Sequence, residues 1–419
     1  MNHPKVAIVG SGPSGCYAAQ FILKYWEYAE ISFFESLPVP YGLARYGIAA
    51  DHQGNKAFIK QFDRLFEREN VHFIGNVTVG RDLQLSDLDS NFDYVIQATG
   101  LFKDKELTVP VDKNACVLGA GHLLRSINSC PLSKYPNFNN DFGHLGQEIA
   151  IIGAGNVAID VARLLSKRDE DLIGSDVDDL FLNHVRPQAI KKIHILNRSD
   201  LNEAKFDLSM FKELLHLPHV KLSIHGHVNH SHHLIELIED SENLNRDEII
   251  TEIIFHFNHS PKSIEKLNQK TLLNIKESQF HRSQQFYVDS VITAIGFEGQ
   301  QCEQHSKHPN MIQVGWFKRG SVGNVADNRK DTKKVIDELF TNFKSQPIEF
   351  QKGGLKDIQA LLPSNAVSFD DWKTIELYER ANAAENRCRT KINSIQKMLA
   401  VLEKNKQYRI LNTQIPTVA

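Results

Sequence analysis

The sequence is poor in cysteine, poor in net charge and free of long apolar runs, and each shortage narrows what the chain can be. Cys16, Cys116, Cys130, Cys302 and Cys388 are its only cysteines, and no two stand in a CxxC or CxxxxC spacing. That argues against a zinc ribbon and against a close-spaced redox dithiol. An odd, scattered set suits a reducing compartment. The 48 Lys and Arg against 51 Asp and Glu leave a net charge of −3, with 19 His counted neutral. A protein built to coat nucleic acid would be strongly basic. No run of about 18 apolar residues occurs, so no segment reads as a membrane span. The opening MNHPKVAIVG enters a strand-like run almost at once, leaving no room for a signal or transit peptide before it. The expectation is a soluble, cytoplasmic protein.

What is present is ordinary globular material. The 419 residues suggest two or three domains, and 41% hydrophobic with 24% charged residues supplies a large core. KVAIVG at 5–10 is a β-branched run ending in glycine, followed by GSGPSG and the helix-like CYAAQFILKYW. This is the strand–turn–helix setting that a GxGxxG pattern requires. Gly10 permits the tight turn, Gly12 lets a pyrophosphate approach the backbone, and Gly15 lets the helix pack on the strand. Pro13 and Ser14 open the helix, whose N-terminal N–H groups face the phosphate. A second strand, EISFFE, ends in Glu35, twenty residues after Gly15, where a carboxylate can accept from ribose hydroxyls. The bland alternative is a strand–turn–helix with no ligand.

The pattern recurs in QEIAIIGAGNVAIDVARLL at 147–165, where the turn is Gly153, Gly155 and Ala158. Two such turns suggest two dinucleotides, one FAD and one nicotinamide cofactor; a duplication with one dead site is the other reading. FDYVIQATG at 92–100 and YVDSVITAIGF at 287–297 read as strands that close the two nucleotide-binding sheets.

Residues 36–52, SLPVPYGLARYGIAADH, resemble the LPVPYGLVRYGVAPDH stretch of the adrenodoxin reductase family, ferredoxin–NADP reductases of glutathione-reductase-like fold. GNVAIDVARLL, VGWFKRGSVGNVADNRKDT at 314–332 and the final FDDWKTIELYERANAAENRCRTKINSIQKML extend the resemblance over essentially the whole chain. It implies FAD contacts at Ser14, Glu35, Leu43, Val79 and Trp316, with Gly323, Asn324 and Val325 along the isoalloxazine ring. It implies NADP contacts at Ala154, Gly155, Asn156 and Val157, at Arg198 and Ser199, and at Gly323. His52 matches a family histidine near the flavin; a structural histidine is the alternative. Asp51 is expected to orient that ring or to cap the next helix.

The sequence departs from the family on the nicotinamide side. Arg198-Ser199 stands where the family has two arginines, so the preference for NADPH should be weaker; Lys205, seven residues on, offers a second charge. A family glutamate beside the nicotinamide aligns with Met210, and Glu213, one helical turn on, is positioned to replace it in part. Ala50 replaces a proline, and GHLLRSINSCP replaces the WYNGHP segment.

The expected fold is α/β, with two doubly wound Rossmann-like domains and a helical C-terminal tail. The FAD domain would span 1–105 plus 310–419, with an NADP domain inserted at 106–309. The segment 220–289 is expected to complete the inserted domain's sheet, and the last 60 residues to be helical. The implied reaction takes a hydride from NADPH onto FAD and passes single electrons to a ferredoxin-type iron–sulfur protein, with His52 and Glu213 as the catalytic candidates. No metal, nucleic acid or membrane is implied. Arg186, Lys191, Lys192 and Arg198 are the candidate docking face for an acidic ferredoxin. A flavoprotein reducing another acceptor, and an FAD module with a decayed NADPH site, remain as alternatives.

Overall fold

Residues 3–133, 136, 138, 143–225, 232–242, 248–278, 282–299 and 310–413 are described by a computed structural model of the chain; Cys302 lies outside them. Five parallel strands form the first sheet, in the order Met311–Gln313, Tyr94–Gln97, Lys5–Val9, Glu30–Phe34, Val71–Ile74. Each of its long strands is apolar along almost its whole length because helices cover both faces, the condition that parallel sheets require. Six parallel strands form the second sheet, in the order Val117–Gly119, Ser290–Thr293, Glu148–Ile152, Lys192–Leu196, Thr251–His256, Val220–His225. The chain is therefore α/β, with two parallel sheets, each carrying one glycine turn after a strand.

The crossing strands pair with each other: Lys103–Asp104, on the way into the second sheet, lies antiparallel to Phe297–Glu298, on the way out. The second sheet's strands thus fall between two stretches that build the first. The helix Val325–Ser345 returns along the helix that follows the first glycine turn, Pro13–Tyr25. Tyr25 stacks on Phe340 at 4.1 Å and its hydroxyl donates to Asp337 at 2.6 Å. Asn324 caps that helix, its side chain accepting from the Ala326 and Asp327 N–H groups.

Two sequence expectations change. Val220–His225 and Thr251–His256 do join the second sheet, but residues 259–288 build a separate antiparallel meander, His259–Leu267, Lys270–Glu277 and Arg282–Val288. Turn chemistry decides this. Asn268 takes a left-handed conformation, φ 52°, and turns His259–Leu267 back on Lys270–Glu277 across a two-residue connection that a parallel strand could not use. The tail is likewise helical only in pieces, Phe369–Ala381 and Ile395–Thr413, with irregular chain between them.

A buried polar network fastens the tail to both sheets. Lys56 and Lys391 bond the Asp176 carboxylate at 2.8 and 2.9 Å, and both donate to Asn128 Oδ1. Nearby, Arg45 holds Glu379, which is fully buried, at 2.6 and 2.7 Å. A charge buried this deeply is tolerated only when paired.

Candidate active site

The first glycine turn is packed so that only glycine fits at two of its three positions. Gly10 has φ 98°, and a Cβ there would sit 2.7 Å from the Ala98 carbonyl oxygen; at Gly15 it would sit 2.2 Å from the Gly10 oxygen. At Gly12 a Cβ would meet nothing within 4 Å, so the turn is open on that side. Pro13 starts the helix, and no side chain caps its N-terminus. Glu35, buried at the end of the second strand, reaches back to the turn: its Oε2 accepts from the Ser11 N–H at 2.9 Å and the Ser11 hydroxyl at 2.8 Å.

Distant segments close around this turn. The Tyr41 N–H donates to the Ser11 carbonyl at 3.1 Å, and a Cβ on Gly42 would lie 3.3 Å from Gly12 Cα. Leu43 therefore begins its short helix beside the turn. A Cβ on Gly315 would lie 2.0 Å from Ser14 Oγ, which brings the start of the Trp316–Arg319 helix against the same turn. The Trp316 indole stacks on Phe297 at 5.6 Å, and its Nε1–H is buried with no acceptor among the described residues. Val79 packs on a small apolar cluster that contains Val9 and Phe34. Gly323, at φ 82°, and Asn324 are exposed, and Val325 packs on the first sheet's core, which contains Ile8, Ile22 and Ile336. An open glycine turn, an uncapped helix, a strand-end carboxylate and an orphaned indole N–H fit an adenine dinucleotide with a planar ring system.

The second turn repeats the design. Gly153 has φ 109°, and a Cβ there would lie 2.4 Å from the Ala294 oxygen, while at Gly155 it would meet nothing within 4 Å. Ala154 is buried, and Val157 packs on the second sheet's core (the second core), which contains Ile151, Leu164 and Phe211. Asn156 is clamped to Asp207: its Nδ2 donates to the Asp207 carboxylate and its Oδ1 accepts the Asp207 N–H, both at 2.7 Å. Arg198 is exposed, with no ion pair among the described residues, and Ser199 offers its carbonyl to the Asn258 N–H.

Between the turns lies a charged network. The His52 ring is nearly enclosed, and its Nε2 meets Glu213 Oε2 at 2.8 Å. Arg163, 1% exposed, donates to His52 Nδ1 at 3.4 Å, to Asp160 at 2.8 Å and to both Asp51 oxygens, while Lys167 bonds Asp51 at 2.6 Å. An Nδ1 that accepts from a guanidinium leaves the proton on Nε2, facing the carboxylate. Burial raises the Asp51 carboxyl, but Arg163 and Lys167 outweigh it and hold it at about 2. Burial pushes Asp160 up, against the pull of Arg163 and His52.

The sequence from 4 to 328 matches the pyridine nucleotide-disulphide oxidoreductase family. The chain belongs to that family. A cindoxin reductase of Citrobacter braakii is 36% identical over 94% of this chain and 90% of its own. The NADPH-ferredoxin reductase FprA of Mycobacterium tuberculosis is 27% identical over 94% of this chain and 98% of its own. A solved structure of that FprA in complex with NADPH superposes with a TM-score of 0.83 at 25% identity, covering 96% of this chain and all of the other. The NADPH:adrenodoxin oxidoreductase of Arabidopsis thaliana is 26% identical over 94% of this chain and 94% of its own, so the resemblance to adrenodoxin reductases holds in sequence.

Against this family background two sequence expectations need correction. Asp51 neither orients the His52 ring nor caps a helix; it is the anion of Arg163 and Lys167. The four candidate docking cations do not gather into one compact patch. Lys191 and Lys192 lie at the start of the strand Lys192–Leu196 and Arg198 beyond its end, roughly 20 Å away at the strand rise per residue. Arg186 is turned inward, donating to the Leu165 carbonyl at 3.0 Å. Met210 and Glu213 share the helix Leu208–Leu215, but Met210 packs on the second core while Glu213 reaches His52. Arg163, Asp160 and Lys167 were missed in the sequence, although their spacing along one helix, three and four residues apart, puts them on one face.

Proposed function

We propose that the protein takes a hydride from NADPH onto FAD and delivers electrons singly to a ferredoxin-type iron–sulfur protein, an activity of the EC 1.18.1 type. The observation that carries this reading is the pair of open glycine turns, Gly10–Gly15 and Gly153–Ala158, with the His52–Glu213 contact between their two sheets. The flavin supplies the change from two-electron to one-electron chemistry; the protein supplies binding, orientation and charge. In this reading Gly10, Gly12 and Gly15 admit the FAD pyrophosphate, Pro13 and Ser14 present the helix N-terminus, and Glu35 takes the ribose hydroxyls. Leu43, Val79 and Trp316 border the ligand, and Gly323, Asn324 and Val325 line the ring. Gly153, Ala154, Gly155, Asn156 and Val157 receive NADPH, with Arg198 and Ser199 at its 2′-phosphate and Met210 beside its nicotinamide. His52 and Glu213 hold a proton between the two cofactors.

The sheet memberships support a division into an FAD domain, 1–105 plus 310–419, and an NADP domain, 106–309. Scattered cysteines support a cytoplasmic location. The purified protein should be yellow and release FAD, not FMN, on heating. NADPH should bleach it anaerobically, and cytochrome c reduction should require added ferredoxin. Release of FMN or no bleaching overturns the reading. Bleaching with no response to ferredoxin favours a different carrier protein, an outcome that the cindoxin reductase relative makes specific.

A further inference from the structure

We propose that Lys205 binds the pyrophosphate of the nicotinamide dinucleotide, a charge at the phosphate bridge that serves NADPH and NADH alike. The proposal rests on the reading above, in which the second glycine turn receives NADPH. Lys205 pairs with Gly155 in an isolated parallel bridge, so its backbone runs directly beside the turn. Two residues on, Asp207 is tied to Asn156 by the two reciprocal 2.7 Å bonds. The segment 205–207 is thus laced to the end of the turn and to the first residue of the helix Asn156–Ser166. Lys205 is exposed and has no ion-pair partner among the described residues. Gly155 leaves open space on its Cβ side, and no side chain caps the helix that follows.

Charge and position together point to the pyrophosphate. A helix N-terminus contributes only about half a positive charge to a group that carries two negative ones. The Asp207 carboxylate, held beside the turn by Asn156, works against that attraction. An ammonium on a flexible stem at Lys205 offsets the acid and meets the phosphates as a mobile point charge. Arg198 stands elsewhere, just past the strand Lys192–Leu196. In a dinucleotide fold that is where an arginine accommodates the 2′-phosphate. A cation beside the glycine turn is therefore placed for the bridge, not for the 2′ position. This differs from the sequence expectation, in which Lys205 made up for the missing second arginine.

The test is calorimetric binding to the FAD-loaded protein of three probes: ADP-ribose, 2′-phospho-ADP-ribose and 2′-AMP. Lys205→Ala should weaken both ADP-ribose forms by the same factor, about tenfold for one charge-assisted contact, and leave 2′-AMP unchanged. Lys205→Arg should keep most of the affinity. Arg198→Ala should weaken only the two probes that carry a 2′-phosphate. The proposal is overturned if Lys205→Ala leaves ADP-ribose binding intact or weakens only the 2′-phosphorylated probes. If the wild-type protein holds FAD but binds none of the three, the NADPH reading itself falls, and this proposal with it.

Discussion

His52 and Glu213 meet at 2.8 Å although 161 residues separate them, and the contact joins the segment after the first sheet's second strand to a helix of the second sheet. Neither residue is held by its own element alone. Arg163, from the helix after the second glycine turn, lies 3.4 Å from His52 Nδ1 and 3.4 Å from Glu213 Oε2. The same guanidinium carries Asp51 and Asp160. The pair is therefore set by a cation that belongs to neither residue's segment, and a change in how the two sheets sit would be felt at His52.

Replacing Arg163 tests that dependence. Arg163→Met keeps much of the volume but leaves Asp160 and part of Asp51 buried without their guanidinium. Breaking a buried pair from one side costs about 3–5 kcal/mol. Urea unfolding should show a midpoint lowered by that loss divided by the slope, with the slope itself unchanged. Arg163→Met combined with Asp51→Asn should lose less than the two single losses added together. Strict additivity would show that the contact does not couple them.

Much of this arrangement is legible in the sequence, and the rest is hidden for physical reasons. The glycine turns are legible because each glycine answers a local steric demand, as the 2.7 Å clash at Gly10 and the 2.4 Å clash at Gly153 show. His52 and Glu213 are each legible from a short motif. Their contact is not, because it depends on how two sheets pack. The meander at 259–288 reads as alternating strands, but its pairing starts from the short turn at Asn268, not from hydrophobic pattern. The scatter of the candidate docking cations is hidden for a related reason. Four cations near in sequence are carried apart by one extended strand, and one of them turns inward.

Acid should weaken the second unit before it touches Asp51. His194 Nδ1 lies 3.0 Å from His256 Nε2, and the His256 ring is packed by His259 and His225 at 5.3 and 5.4 Å. Burial, then the neighbouring imidazoles His194, His259 and His225, lower His256 to about 2. Burial also lowers His194, partly offset by Glu148 at 3.3 Å. The nearby Lys192 adds to the lowering, Glu252 opposes it, and His259 is held by Gln284 and the Phe257 carbonyl. A depressed folded pKa means that the unfolded chain takes up protons first. Stability should be full above about pH 6.5 and fall below it, at up to about 1.4 kcal/mol per pH unit for each excluded proton. Asp51 adds its own loss only below about pH 4. Stability should slope across this range for the wild type and slope less for His256→Gln, in which His194 still excludes a proton. A level wild-type profile down to about pH 4.5 would refute the account.

Cofactor choice should rest on Arg198. It is exposed and has no competing ion pair among the described residues, so its guanidinium is available to a 2′-phosphate. Arg198→Ala should raise the NADPH KM by about tenfold, the lower end for a charge-assisted contact at an exposed site. The NADH KM should hardly move. If both constants rise together, Arg198 shapes the loop and the phosphate is read elsewhere.

In the proposed reading Met210 borders the nicotinamide, at a position where the resemblance to adrenodoxin reductases implies a glutamate. A carboxylate there would be placed to accept from the nicotinamide carboxamide and so orient it. The methionine packs on the second core and offers only a flexible, polarizable surface. Glu213, one turn on, is the nearest carboxylate on the helix, but its oxygen is occupied by His52 and lies 3.4 Å from Arg163. It is therefore a poor substitute for an orienting acceptor. Orientation matters because a misplacement of about 1 Å can cost roughly a hundredfold in rate. Anaerobic flavin reduction by saturating NADPH should accordingly be slow, and Met210→Glu should accelerate it. Glu213→Gln should act differently: it leaves the nicotinamide face alone but removes the charge that faces His52, so its effect should appear in the pH profile of reduction. Stopped-flow traces of the three proteins separate these roles. If Met210→Glu leaves the saturated reduction rate unchanged, the helix Leu208–Leu215 does not border the nicotinamide, and the hydride-transfer face lies elsewhere in the cleft.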